Sequence, residues 1–501
     1  MSEKGTRMAA KTVARPNIFI YDTKIEGPDG AQLHDKAPSS TVDLAKLVRW
    51  LAGKGIVSPT VWLLGSELAE QFGWLAHRDD KEATGKLIRD DIKTAFTTAS
   101  TTPAVEKATY RFTVYPHWNA RDKPIVEIVA ARLGQLSDGH RGVLDSLVTD
   151  DPMAEIVHRV NWVTTHLKIS ATGPAATLGG ALAERIWNPA PEPGVWPLGT
   201  ELEPTRFEPS FAGAQPDPPP GKKIVVVDQR KAVLAAMGTA RLGTGTPTAM
   251  PGHEVDWHSK TAPATVVDVV LPALSYLAVP PILRVHRLQQ TDNAARVPVC
   301  TTTVKQMLAG SADGGLGMDV DDIEFGTAWV FPQTSPKLAS WTKAMREAFT
   351  TAGDDESINV MLKEIYQRSY MQYSLEHTAG TMHSQPTWPG DIRADVRCRA
   401  LRYAARIYRD HKLLPVAAQM DAWYYLVDED FDTAIFDDDS LLNGKYRVKE
   451  VRFHDPRATS RDAAPAKATA PAPVTAPTPT PAEADDGART GLLHRIFGRS
   501  R

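Results

Sequence analysis

Two aspartates stand where strand-like runs end or break. Asp228 closes the apolar run Ile224, Val225, Val226, Val227 and leads into Gln229, Arg230 and Lys231. Asp421 follows Ala417, Ala418, Gln419 and Met420 and precedes the run Trp423, Tyr424, Tyr425, Leu426, Val427. Carboxylates on neighbouring strands can hold two divalent ions that activate an attacking oxygen and stabilise a leaving one, as nucleotidyl transfer requires. Each aspartate alone has a plainer explanation. An aspartate after a strand suits the N-cap of a following helix, and Asp421 suits a turn entering a strand. As a pair, Asp228 and Asp421 are the candidate catalytic and metal-ligating residues, with Mg²⁺ as the ion.

A row of arginines is the second constellation. Over 391–412 the residues Ile392, Val396, Ala400, Tyr403 and Ile407 recur at three- and four-residue spacing, which predicts a helix with one buried stripe. Arg393, Arg397, Arg402, Arg406 and Arg409 fall mainly off that stripe, and Asp391, Asp395 and Asp410 offset part of their charge. Guanidinium groups along one helix can meet successive phosphates and make binding salt-sensitive. A solvated face with internal ion pairs is the alternative. Lys363 and Arg368, on a predicted helix that also carries Tyr366, are further candidates for contact with a phosphate backbone. His253, Asp256 and His258 lack a specific zinc spacing and suit a surface loop. The acids at 428–432 and 437–439 suit the exposed turn of a hairpin that returns through 445–449.

Those residues need elements to hold them. Residues 1–15 are polar and predicted to be disordered. Strands at 17–22, 60–64, 110–115 and 125–130 alternate with helices, one of them capped by Ser66, and predict an α/β N-terminal domain over 16–187. That domain ends in two helices, 151–167 and 175–186, joined by a turn. The Pro- and Glu-dense stretch 188–221 predicts an extended linker. An α+β domain over 222–453 then carries both aspartates and the arginine helix. Residues 454–488 collapse to an Ala/Pro/Thr composition that predicts a disordered linker. The final segment, 489–501, contains the basic-apolar peptide 492–501, which is either a docking motif for a protein partner or an incidental basic end.

Composition narrows the classes. A chain of 501 residues exceeds one core, and 42% hydrophobic content with 12 tryptophans supplies several. The net charge of −3 makes any nucleic-acid surface a local one. Two cysteines, Cys300 and Cys398, argue against a disulfide framework or a Cys-rich zinc site. No apolar run reaches membrane-spanning length and none follows the polar N-terminus, so a cytoplasmic protein without a membrane partner is expected.

The order of segments adds a resemblance. Residues 227–236, Leu242-Gly243, 257–271, 297–302, 338–341, 362–366, 386–388, the arginine helix and Met420-Asp421-Ala422 resemble the telomere-associated or telomere-binding proteins of actinobacterial linear replicons. The same segments resemble, in order, the palm motifs of family B DNA polymerases. That likeness makes Asp228 and Asp421 the two metal-binding aspartates and Tyr366 the tyrosine of the middle helix. It also marks departures. Residues 231–233 lack a steric-gate tyrosine, and Asn359 stands in place of the nucleotide-binding lysine, with Lys363 as a substitute. Gln419 replaces the first acid of the Asp-Thr-Asp type motif. In the N-terminal unit, Asp22 resembles the end of an exonuclease-like first strand, but Lys24 stands where a glutamate belongs. The resemblance implies a DNA-binding protein with a degenerate polymerase-like palm, associated with the nucleoid. It would act at single-stranded or tailed replicon ends, with a terminal priming protein as partner. Two alternatives stay open: an active Mg²⁺-dependent nucleotidyltransferase of family B type, and a helix-turn-helix replication or transcription regulator built on the helices 151–167 and 175–186.

Overall fold

Continuous apolar runs become strands covered on both faces. Asn17–Ile20 (β1), Ile25–Glu26 (β2), Gln32–His34 (β3), Thr60–Leu63 (β4), Ala104–Ala108 (β5), Arg111–Tyr115 (β6) and Val126–Ala130 (β7) form one sheet in the order β3-β2-β1-β4-β7-β6-β5. β1, β4 and β7 are buried at every position and pair in parallel, as central strands under helices do. The computed structural model describes residues 15–454 apart from 78, 109, 121–122, 132, 134–141, 200–201, 278, 375–377, 379 and 439–443. The expectations for 1–14, for the Ala/Pro/Thr stretch and for the peptide 492–501 lie outside the described residues, as does Asp439.

Helices Thr41–Gly53 (α1), Leu68–Gln71 (α2) and Lys81–Phe96 (α3) share a core with this sheet. Ser66 does not cap α2 as its position suggests. The amides of Ser66 and Glu67 donate instead to the Asp22 carboxylate at the end of β1, at 3.1 and 3.2 Å. A carboxylate is the stronger acceptor for those donors. Lys24 pairs with Glu26, whose other oxygen accepts from the Tyr21 hydroxyl at 2.9 Å.

Pro152–Trp162 (α4) and Ala175–Ile186 (α5) lead away from the sheet into a helical core. That core is completed by Ala232–Met237 (α6), Ala339–Ala352 (α8), Glu356–Ser369 (α9) and the start of Trp388–His411 (α10), while Thr301–Leu308 (α7) packs elsewhere. α5 touches α9 so closely that a methyl group on Gly179 would overlap Ser369 Oγ, and the Trp341 indole donates to the Gly179 carbonyl at 2.9 Å. This removes the ground for the helix-turn-helix alternative. One face of the helix it needs in a DNA groove is packed against α8 and α9, and only Thr177, Glu184 and Arg185 of that helix are exposed.

The remaining strands are Lys222–Gln229 (β8), Leu242–Thr244 (β9), Thr248–Pro251 (β10), Thr265–Leu271 (β11), Ala295–Cys300 (β12), Phe325–Val330 (β13), Gln333–Ser335 (β14), Ala417–Gln419 (β15), Ala422–Asp428 (β16) and Tyr446–Phe453 (β17). They form a sheet β10-β13-β11-β12, a ribbon β14-β9, and a sheet β15-β16-β8-β17. β16 and β17 are therefore not the two arms of one hairpin, because β8 lies between them. The acids of their connection are not simply solvated either. Asp437 and Asp438 accept the amides of Val448 and Tyr446, each at 2.8 Å, and hold the start of β17.

α10 runs from one hydrophobic core into the next. Trp388, Ile392 and Val396 belong to the helical core, whereas Ala400, Leu401, Tyr403, Ala404 and Ile407 lie under the β8-containing sheet. The predicted stripe is buried, but so are Arg393 and Arg397. Arg393 donates to the carbonyls of Thr205, Phe207 and Glu208. Arg397 donates to the carbonyls of Val285 and Pro209, to Thr303 Oγ1, and to the Glu208 carboxylate. The expectation that these two arginines meet phosphates is therefore corrected: both clamp the Pro-rich stretch 188–221 onto the helix. Spacing identifies the most apolar stripe of a helix, not whether the rest of its circumference is also enclosed.

Glu208 is the other half of the clamp. Its φ of +52° is one that residues with a side chain seldom adopt. Its carboxylate is fixed by the Cys300 amide and Thr303 Oγ1, both at 2.7 Å, as well as by Arg397. Burial alone would raise its pKa, but the Arg397 charge dominates the opposing effects and holds it at about 2. Removing one member of such a pair leaves a buried charge and costs about 3–5 kcal/mol. Arg397→Met should lower the unfolding free energy by about that amount in a denaturant titration. Adding Glu208→Gln should recover much of the loss. A single variant within about 1 kcal/mol of wild type would show that the clamp does not carry the fold.

Candidate active site

Strand register brings the two aspartates together. β16 runs antiparallel to β8 with Trp423 opposite Val227. Asp421 lies just before β16 and Asp228 just after Val227, so the two become neighbours. β15 and β16 form a tight hairpin in which Gln419 pairs with Ala422, leaving Met420 and Asp421 at its tip. Met420 takes φ +56°, the left-handed conformation that two-residue hairpin turns favour. Its amide is tied to the Phe211 carbonyl at 2.8 Å. Asp228 is a strand residue, not the N-cap that its position suggests; Lys231 precedes α6, without a side-chain cap bond. Along β8 the pleat sends Val225 and Val227 toward α10 together with Trp423 and Tyr425. Ile224, Val226 and Tyr424 take the opposite face, and Asp228 continues that second face by alternation.

Burial and mutual repulsion govern the pair. Burial raises the pKa of Asp421 to about 8, helped next by the charge of Asp228 and then by a hydrogen bond between the two carboxyl groups. Two carboxyls in contact cannot both ionise cheaply, so they share a proton. Lys449 Nζ lies 3.1 Å from Asp228 Oδ2. Tyr366 comes from α9 and is buried; burial, then the charges of Asp421 and Asp228, push its hydroxyl up. The Tyr446 hydroxyl is shifted the same way, by burial first and by the Asp421 charge next. Lys231 is half-buried with its ammonium 3.3 Å from the centre of the Phe349 ring, and burial lowers its pKa. Phe349 in turn meets Tyr366 edge-on at 6.1 Å. A cation on an aromatic face thus adjoins the tyrosine that faces the acids.

This donor set does not fit a resident divalent ion as it stands. Mg²⁺ binds ionised oxygens in strict geometry, whereas here two carboxyls share a proton and one already carries an ammonium. Gln419, where the motif would have a third acid, accepts from Gln215 Nε2 at 2.9 Å and from the Tyr424 hydroxyl at 3.0 Å. Among the described residues no three His, Cys, Asp or Glu side chains gather as a metal group. His253, Asp256 and His258 are exposed.

The basic candidates fall into separate places. Lys363 is exposed on α9, and Arg368 on the same helix is exposed and pairs with Glu364 at 3.4 Å. Arg402, Arg406 and Arg409 line the outer side of the second half of α10. Arg406 is paired with Asp438 and Arg409 with Asp410, each at 2.8 Å. For Arg402 no ion pair is found among the described residues. Sequence reasoning missed Lys231, Tyr446 and Lys449 as site residues. Lys231 had a signal, since it follows Asp228 in the same strand-to-helix turn. Lys449 had none, because its contact with Asp228 depends on the pairing of β17 with β8, strands far apart in the chain.

The proton on Asp421 makes a pH prediction. Its folded pKa lies above the ordinary 3.8, so between 3.8 and about 8 the folded state holds a proton that the unfolded chain releases. Stability from this group therefore falls as pH rises through that window. Asp421→Asn mimics the neutral form and should be more stable than wild type at pH 8 by on the order of 5 kcal/mol. The gap should shrink toward pH 5. Thermal unfolding across that range measures it, and an Asn variant no more stable than wild type at pH 8 refutes the shared proton.

The fold has known counterparts. It is similar to Phi29 DNA polymerase complexed with primer-template DNA and incoming nucleotide substrates, with a TM-score of 0.51 at 10% identity over 89% of this chain and 85% of that one. The complex of the same polymerase with primer-template DNA alone gives a TM-score of 0.50 at 10% identity, over 87% and 84% of the two chains. No protein-family model and no curated protein matches the chain. At this identity the likeness is one of fold: a mixed α/β chain with a polymerase-like architecture.

Proposed function

We propose that this chain is a DNA-binding protein on a polymerase-like fold, acting at the single-stranded or tailed ends of a linear replicon as an accessory to replication or end-patching. What carries the proposal is the fold likeness to a polymerase whose structures hold primer-template DNA. The telomere-associated role rests on the dispersed segments that resemble those proteins. A terminal priming protein is the partner this role implies, the peptide 492–501 is a docking candidate, and the protein would be cytoplasmic and nucleoid-associated. No described helix is long and apolar enough to cross a membrane. Arg402, Arg406 and Arg409 are the arginines offered to phosphates, with Lys363 and Arg368 as further contacts. Arg406 and Arg409 would exchange aspartate partners for phosphates on binding.

Charge reversal at Arg402 and Arg409 tests the surface without placing an acid beside Asp438. Arg402→Glu with Arg409→Glu should weaken binding to a tailed duplex at least ten-fold near 0.1 M salt. It should also reduce the salt slope by about 1 per lost phosphate contact. Unchanged affinity for single-stranded, tailed and duplex DNA would sink the proposal.

The second possibility is a Mg²⁺-dependent nucleotidyltransferase of family B type. The juxtaposition of Asp228 and Asp421 favours it. Primer extension with wild type and Asp421→Asn decides between the two. Metal-dependent incorporation lost in the variant establishes the enzyme, and no incorporation by wild type leaves DNA binding as the activity.

A further inference from the structure

The strand that carries Lys449 pairs with the strand that carries Asp228. β17 pairs with β8 through Val448 opposite Val227 and then through Glu450 opposite Val226. Lys449 is the extra residue of a β-bulge between those pairs. By alternation from Val448, which packs with Val227 on the α10 face, Lys449 takes the face shared by Val226 and Asp228. Here the Lys449 ammonium comes within 3.1 Å of Asp228 Oδ2. The adjacent Glu450 does not compete for it, since both its oxygens are bonded by Arg452. Asp228 is 19% exposed at its side chain and is hydrogen-bonded to Asp421. The contact therefore differs from an ion pair between two solvated side chains, which contributes little.

We propose that Lys449 is the resident cation of the Asp228–Asp421 pair, its ammonium held on Asp228 in place of a divalent ion. A single ammonium neutralises the pair without the ordered oxygen shell that Mg²⁺ needs. The fold thus keeps its two carboxyls assembled while Lys449 excludes the metal. This inference concerns ion binding alone and stands apart from the DNA-binding role, so either can fail without the other.

Mn²⁺ alone is the probe, with free ion measured by electron paramagnetic resonance on the full chain at pH 8 and low salt. Lys449→Met should bind Mn²⁺ at least ten-fold tighter than wild type. Lys449→Arg should behave as wild type, and Lys449→Met combined with Asp421→Asn should lose the gain. The Lys449 side chain is 55% exposed, so the fold should tolerate the change. Lys449→Gln provides a second neutral variant, with circular dichroism as the check on folding. Equal Mn²⁺ affinity in wild type and both neutral variants overturns the proposal. So does a gain that survives Asp421→Asn, because the ion would then lie elsewhere.

Discussion

The contact between Arg397 and Glu208 constrains the rest of the molecule. Both side chains are removed from water, a costly state unless each charge is matched and its remaining hydrogen-bond capacity filled. Here the match is complete enough to hold Glu208 ionised and to keep its backbone in the left-handed region. Because Arg393 and Arg397 grip the segment 205–209, the long helix cannot slide or rotate without stranding those charges. The helix supports the β8-containing sheet through Ala400, whose carbonyl accepts from the Trp423 indole at 3.0 Å. The position of the hairpin tip that carries Asp421 follows from that support.

At the site, geometry and charge point in different directions. Two neighbouring strands and a tight hairpin assemble a pair of carboxyls, as catalysis by metal ions requires. The charges around them are already balanced internally, by a shared proton and by the ammonium of Lys449. Strand register and packing set where the backbone places the two carboxyls, whereas the groups around them decide their charge. In the N-terminal sheet, the carboxylate of Asp22, just past the end of β1, is likewise engaged, by the amides of Ser66 and Glu67.

Much of this was legible in the chain itself. The valine run before Asp228, the aromatic run after Asp421 and the stripe Ile392–Val396–Ala400–Tyr403–Ile407 specify a mixed α/β protein with these strands and this helix, because local periodicity reports which face of an element meets a core. The pairing of the two aspartates was also legible, as an expectation from residue type and position.

What only the tertiary structure decided is how each charged residue is used. Arg393 and Arg397 differ from Arg402 and Arg409 in surroundings, not in local sequence. Lys449 reaches Asp228 because β17 pairs with β8, a strand distant in sequence. Asp228 and Asp421 share a proton because burial and proximity raise one of them, and neither effect exists in an extended chain. Periodicity is a short-range property written along the chain, whereas desolvation and charge pairing depend on what folding brings alongside.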